Sequence, residues 1–129
     1  MEIKFLVICI EKQLRKIPFS DISYIEAAKS GINIFLQNGK EVNAKIKMGC
    51  LLGNLPSLDF KRVNETFVVA VESIDAIMNG KVIINKKEFF LTSVYENEVI
   101  RAFRNKVRMQ FLAYMQALEL EKFSRLNAV

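Results

Sequence analysis

The chain has 129 residues, 51% apolar and 26% charged, with a net charge of +5 and no histidine. That is enough chain for one domain with a real core, too little for two, and the composition excludes disorder. Without histidine the commonest general base and transition-metal ligand is missing, and no GxGxxG, P-loop or GxSxG run occurs. No pair of acids stands out as a catalytic couple, so the expectation is a non-enzyme with no metal and no cofactor. The pI of about 9.3 suits a polyanionic partner such as nucleic acid, as well as many plain domains.

Ile3–Ile10 (IKFLVICI) reads as a strand, apolar on nearly both faces and therefore well buried. Its apolar run of six, Phe5 to Ile10, is too short for a signal peptide, and no cleavage site follows it. No run approaches the roughly 18 apolar residues of a membrane span. A cytoplasmic protein follows, with Cys9 and Cys50 as reduced, buried thiols. Lys12–Phe19 continues as a second strand that Pro18 places at an edge or an end. Asp21–Ala28 (DISYIEAA) is a short strand in which Ile25 falls out of step with Ile22 and Tyr24. Lys29–Gly31 is a loop. Ile32–Gln37 and Lys40–Lys47, joined by Asn38-Gly39, predict a hairpin with a type I′ turn.

Met48–Leu55 has the spacing of a short helix, with Pro56 close behind it. FKRVNETFVVAV (Phe60–Val71) carries a charged entry directly into the best strand candidate. A second Asn-Gly hairpin spans Ser73–Asn85, and Asn85–Lys87 turns into the strand Glu88–Ser93. Strands at this spacing predict a mainly antiparallel β domain. From Tyr95 the period changes. Val99, Phe103, Val107, Phe111, Tyr114, Met115 and Leu118 recur at spacings of three and four, an amphipathic helix of about seven turns. Arg101, Arg104 and Arg108 flank its apolar stripe, as solvated charges, as phosphate contacts or as the rim of a dimer seam.

Several separated pieces together resemble the LytTR-type DNA-binding domain of bacterial transcription regulators. Ile17, Asp21, Ile22 and the triplet Tyr24-Ile25-Glu26 match its first part. Phe60, Arg62, Val63, Phe67, Val68, Val69 and Ile74 match its second, and Tyr95 its last. The resemblance covers about residues 13 to 100 and divides the chain into a β domain (1–95) and a helical extension (96–129). It implies that loops and strand ends, rather than a recognition helix, enter the major groove of double-stranded DNA. Mapped onto this sequence, the contact segments are Lys29, Ser30 and Gly31; Arg62, Asn64, Glu65 and Thr66, with Lys61 beside them; and Thr92, Ser93, Val94 and Tyr95.

The chain departs from the family pattern at several of these positions. Asn64 stands in place of the usual His, Glu65 in place of Asn, Arg or Lys, and Val69-Ala70 in place of Val-Asn. Ser93 and Val94 stand where Arg is common. Asn64 has the chemistry to bond adenine and Glu65 to accept from a cytosine amine, while Lys29, Lys47, Lys61 and Arg62 suit phosphate. Tyr24 and Tyr95 suit core packing better than base stacking, and Glu26 a structural hydrogen bond better than catalysis. The expected protein is a free-standing transcriptional regulator, controlled by oligomer state or by a sensor or membrane-protein partner. The alternative is an interaction module that keeps the fold and has lost sequence-specific DNA binding. The long helix packs on the β domain, joins a homodimer or docks on another protein.

Overall fold

The computed structural model describes residues 3–127, with side chains through residue 121, so the last two residues of the expected helical extension lie outside the described residues. Strands β1 (Phe5–Ile10) and β2 (Gln13–Pro18) form a hairpin. Strands β3 (Ile22–Ala28), β4 (Gly31–Leu36), β5 (Glu41–Ala44), β6 (Phe60–Arg62) and β7 (Phe67–Ala70) form a central sheet in the order β5-β4-β3-β7-β6. Strands β8 (Ala76–Met78), β9 (Lys81–Ile84) and β10 (Lys87–Phe90) form a third sheet. Every pairing is antiparallel. Helix α1 (Met48–Leu52) lies between β5 and β6, and α2 (Ser93–Asn127) ends the described chain. The mainly β fold with one short and one long helix is the one the sequence predicts.

The central sheet separates two apolar cores. One face carries Ile25, Ile34, Val42, Val68, Phe60 and Ala70, covered by Leu6, Ile8 and Ile17 of the hairpin and by Met48 and Leu51 of α1. The other carries Val69, Tyr24 and Phe67, covered by Val82, Ile84 and Phe89 of the third sheet and by Val99 of α2. This double burial explains why Val68, Val69, Ala70 and Val71 run together without a polar residue. It also explains the step at Ile25. The register with β4 shifts between Ile22 and Tyr24, a bulge that leaves Ser23 as the extra, buried residue. The bulge turns Ile22 and Ile25, three apart, into the same core, whereas a regular strand would send them to opposite faces.

Four sequence expectations need correction. Strand β1 is buried on one face only: Leu6 and Ile8 are covered, while Val7 and Cys9 are exposed, because β1 pairs with β2 alone outside the central sheet. Both thiols are free and exposed rather than buried. Helix α2 is 35 residues long, beyond the seven turns expected. The first Asn-Gly turn is not type I′. Only Gly39 takes positive φ (86°), Gly39 N–H donates to the Leu36 carbonyl, and Leu36 N–H donates to the Lys40 carbonyl. That is a three-residue loop with one left-handed glycine. The second Asn-Gly turn does follow type I′, with Asn79 at φ 53° and Gly80 at φ 71°. Among the described residues no helix is long and apolar enough to cross a membrane, and no cluster of His, Cys, Asp or Glu is placed to hold a metal.

Candidate functional site

Antiparallel pairing decides which loops share an edge. The end of β3 lies against the start of β7, through Glu26 opposite Phe67. The turn after β3 (Lys29, Ser30) and the loop between β6 and β7 (Val63–Thr66) therefore come out at the same end of the central sheet. The Ala27 N–H donates to the Thr66 carbonyl at 2.7 Å, extending the ladder one step into that loop. The third segment joins through the chain leaving β10. Thr92 N–H donates to the Val63 carbonyl at 2.9 Å, which brings the start of α2 beside the loop. Three segments separated by up to 66 positions thus emerge at one end of the sheet, the second and third of them in direct hydrogen-bond contact.

The loop is held in shape by its own side chains. Asn64 Oδ1 accepts from the N–H groups of Thr66 (2.8 Å) and Phe67 (2.9 Å), the local turn that asparagine forms readily. Its Nδ2 donates to the Phe90 carbonyl at 2.7 Å, tying the loop to the end of β10. Arg62 closes the other side: Nε donates to the Asn64 carbonyl (3.2 Å) and Nη2 to the Glu65 carbonyl (3.0 Å). The Tyr95 hydroxyl donates to Glu65 Oε1 at 2.9 Å, linking the first turn of α2 to the loop tip. That hydrogen bond, more than desolvation or the Glu65 charge, holds the Tyr95 phenol above its ordinary titration range, against a smaller opposing effect of Arg62. The phenol therefore remains a donor through neutral pH.

The structure sorts the expected contact residues by availability. Lys29, Ser30, Glu65, Thr66, Ser93 and Val94 are exposed at the shared edge. Gly31 begins β4 where a Cβ would collide with the Ala44 carbonyl oxygen, so its small size serves the close passage of β4 and β5. Lys61 pairs with Val69 on edge strand β6, on the opposite face from Arg62. Tyr95 and Tyr24 both pack against the second core. Tyr24 stacks on Phe35 at 4.5 Å and meets Phe89 edge-on, with the Lys87 ammonium 4.9 Å from its ring centre. Glu26 accepts from Asn33 Nδ2 at 3.0 Å, a cross-strand structural bond.

Sequence reasoning missed Lys106. Its ammonium lies 2.7 Å from Asp59 and 3.5 Å from Glu72, pinning α2 to the body of the domain. The bond to Asp59, with the charges of Asp59 and Glu72, raises its pKa above the ordinary value despite some desolvation. Nothing in its own sequence neighbourhood marks it, because its partners lie 47 and 34 positions away.

The LytTr DNA-binding domain family profile matches residues 12–111. Among solved structures, the chain is similar to the LytTr DNA-binding domain of a putative methyl-accepting/DNA response regulator from Bacillus cereus. The two are 17% identical, with a TM-score of 0.63 over 78% of this chain and 97% of that one, a likeness of fold. The comparison with curated proteins gives no match. With the profile covering residues 12–111, most of the chain, the chain belongs to the LytTr DNA-binding domain family.

Proposed function

We propose that this protein binds double-stranded DNA as a transcriptional regulator, through the edge where Lys29–Ser30, Arg62–Thr66 and Thr92–Tyr95 converge. The observation that carries the reading is the convergence itself, within a family of DNA-binding domains: hydrogen bonds join Thr92–Tyr95 to the β6–β7 loop, and the β3–β7 pairing brings the Lys29–Ser30 turn out at the same end of the sheet. The roles divide by availability. Lys29 and Ser30 reach for phosphate from an exposed turn. The positive end of the α2 macrodipole at Ser93 lies on the same edge and favours an anion. Arg62 and Asn64 shape the loop, and at its tip Thr66 and the Glu65 carboxylate oxygen that Tyr95 does not occupy would read base edges. Two copies joined through α2 would set two such edges on one duplex.

The test is a selection from a random duplex pool followed by affinity measurement at several salt concentrations. A regulator gives a selected site that binds at least about 1,000-fold more tightly than random duplex near physiological salt. Equal binding of selected and random duplexes sinks the regulator reading. In that case the exposed acid at Glu65 and the committed carboxamide of Asn64 favour an interaction module on the same fold.

A further inference from the structure

The distal half of α2 carries an apolar stripe. Val107, Phe111, Tyr114 and Met115 are exposed, with Leu118 following in part. The face by which α2 docks on the body is a different one: Val99, Ala102 and Phe103 pack on the second core, and Lys106 reaches Asp59 and Glu72. With 3.6 residues per turn, the line through Val107, Phe111, Tyr114 and Leu118 is rotated by about 100° from the centre of that docking face. The stripe does not continue the core-facing side, and the chain's own β domain does not cover it.

We infer that this stripe is the seam of an antiparallel helix pair formed with a second copy of this chain. The inference rests on the proposed role of α2 in joining copies and is independent of how the β domain meets DNA. Its first support is positional symmetry. Val107 and Leu118, and likewise Phe111 and Tyr114, stand at equal distances on either side of the Leu112–Ala113 bond. A two-fold contact requires that if one residue meets another, the second meets the first. An antiparallel pair centred on that bond satisfies this, setting Val107 against Leu118 and Phe111 against Tyr114. The four–three–four spacing is that of helices packing knobs into holes.

Charge selects the direction. Arg104 and Glu121 also stand at equal distances from the Leu112–Ala113 bond, on the line of the stripe. In the antiparallel register Arg104 meets the second copy's Glu121 at both ends of the seam. In a parallel register Arg104 would meet Arg104, and Glu121 would meet Glu121. Like charges at seam positions oppose pairing, so the same two residues favour one orientation and penalise the other.

The test uses the full chain with Cys9→Ser and Cys50→Ser, which removes the two exposed native thiols. Val107→Cys and Leu118→Cys chains are oxidised separately and as an equimolar mixture. The antiparallel seam gives a cross-linked dimer in the mixture alone. A cross-link from Val107→Cys by itself overturns this register in favour of a parallel pair, with α2 still the seam. No cross-link in any arm overturns the seam altogether, and light scattering on the parent chain then tells a monomer from a dimer joined elsewhere. Charge reversal gives a second readout. Arg104→Glu and Glu121→Arg each weaken dimerisation roughly tenfold, and the double variant returns to within about threefold of the parent. A double variant no better than the singles overturns the register. None of these outcomes bears on DNA recognition, so the regulator reading is tested apart from them.

Discussion

Asn64 shows how one side chain takes its role from its surroundings. In sequence it falls in a segment that the family resemblance marks out for DNA contact; in the fold its carboxamide holds three backbone partners. Asn64→Ala is expected to weaken binding to every duplex rather than relax preference at one base pair, and to lower stability by about 1–3 kcal/mol as backbone groups lose partners. A change of preference at one position with unaltered stability would point back to direct readout. Gly31→Ala is expected to cost about 1–3 kcal/mol, because the added methyl meets backbone that no rotamer can move aside. A urea melt checks it, and an unshifted midpoint would mean that β4 and β5 yield. Lys106 gives a pH signature. Its folded pKa lies above the ordinary 10.5, so its contribution is fully present below that value and disappears as pH rises through the folded pKa. Its side chain is only partly exposed, and screening keeps the expected loss in Lys106→Met to about 0.5–1 kcal/mol at pH 8. The difference from the parent should shrink at strongly alkaline pH, and a gap that stays constant would assign the effect to packing.

At the scale of elements, α2 behaves as two segments. Its first turns are part of the domain, through Val99 and Phe103 in the second core and Lys106 at the surface. Its remainder projects with an uncovered stripe. A chain ending at Arg108 is therefore expected to keep the thermal stability of the β domain while becoming monomeric by light scattering. A large drop in melting temperature would show that the distal half supports the core after all. The hairpins show what local sequence can decide. Asn79-Gly80 has two strands directly at its flanks and adopts positive φ at both residues. Asn38-Gly39 is the same dipeptide, yet the loop around it is one residue longer, and only the glycine turns left-handed. The dipeptide marks the turn, while the register of the flanking strands selects its type.

At the scale of the molecule, the proposed interface is an edge phenomenon, and its strength should be governed by phosphate neutralisation. Lys29→Ala is expected to lower affinity for all duplexes and to reduce the slope of log K against log salt by about 0.9, the release of one contact's counterions. An unchanged slope would remove the β3–β4 turn from the contact surface. Much of the fold was legible in the chain because period-two patterning, Asn-Gly turns and the change to helical spacing at Tyr95 are local signals. The spaced residues from Ile17 to Tyr95 also carried the family. Other features were not legible. The exposure of Cys9 and Cys50, the one-sided burial of β1 and the grip of Lys106 on Asp59 depend on which elements cover which, and sequence spacing carries no information about that. The order β5-β4-β3-β7-β6 likewise brings Lys29, Glu65 and Tyr95 to one edge through pairings that local patterning does not specify. The sequence by itself determined the elements and the family, because the first are written in local periodicity and turn residues and the second in residue types at set spacings along the chain. Only the tertiary structure decided which side chains are committed to the loop, which remain free to meet a partner and which face of α2 the domain leaves bare. Those follow from burial and hydrogen bonding between residues far apart in the chain.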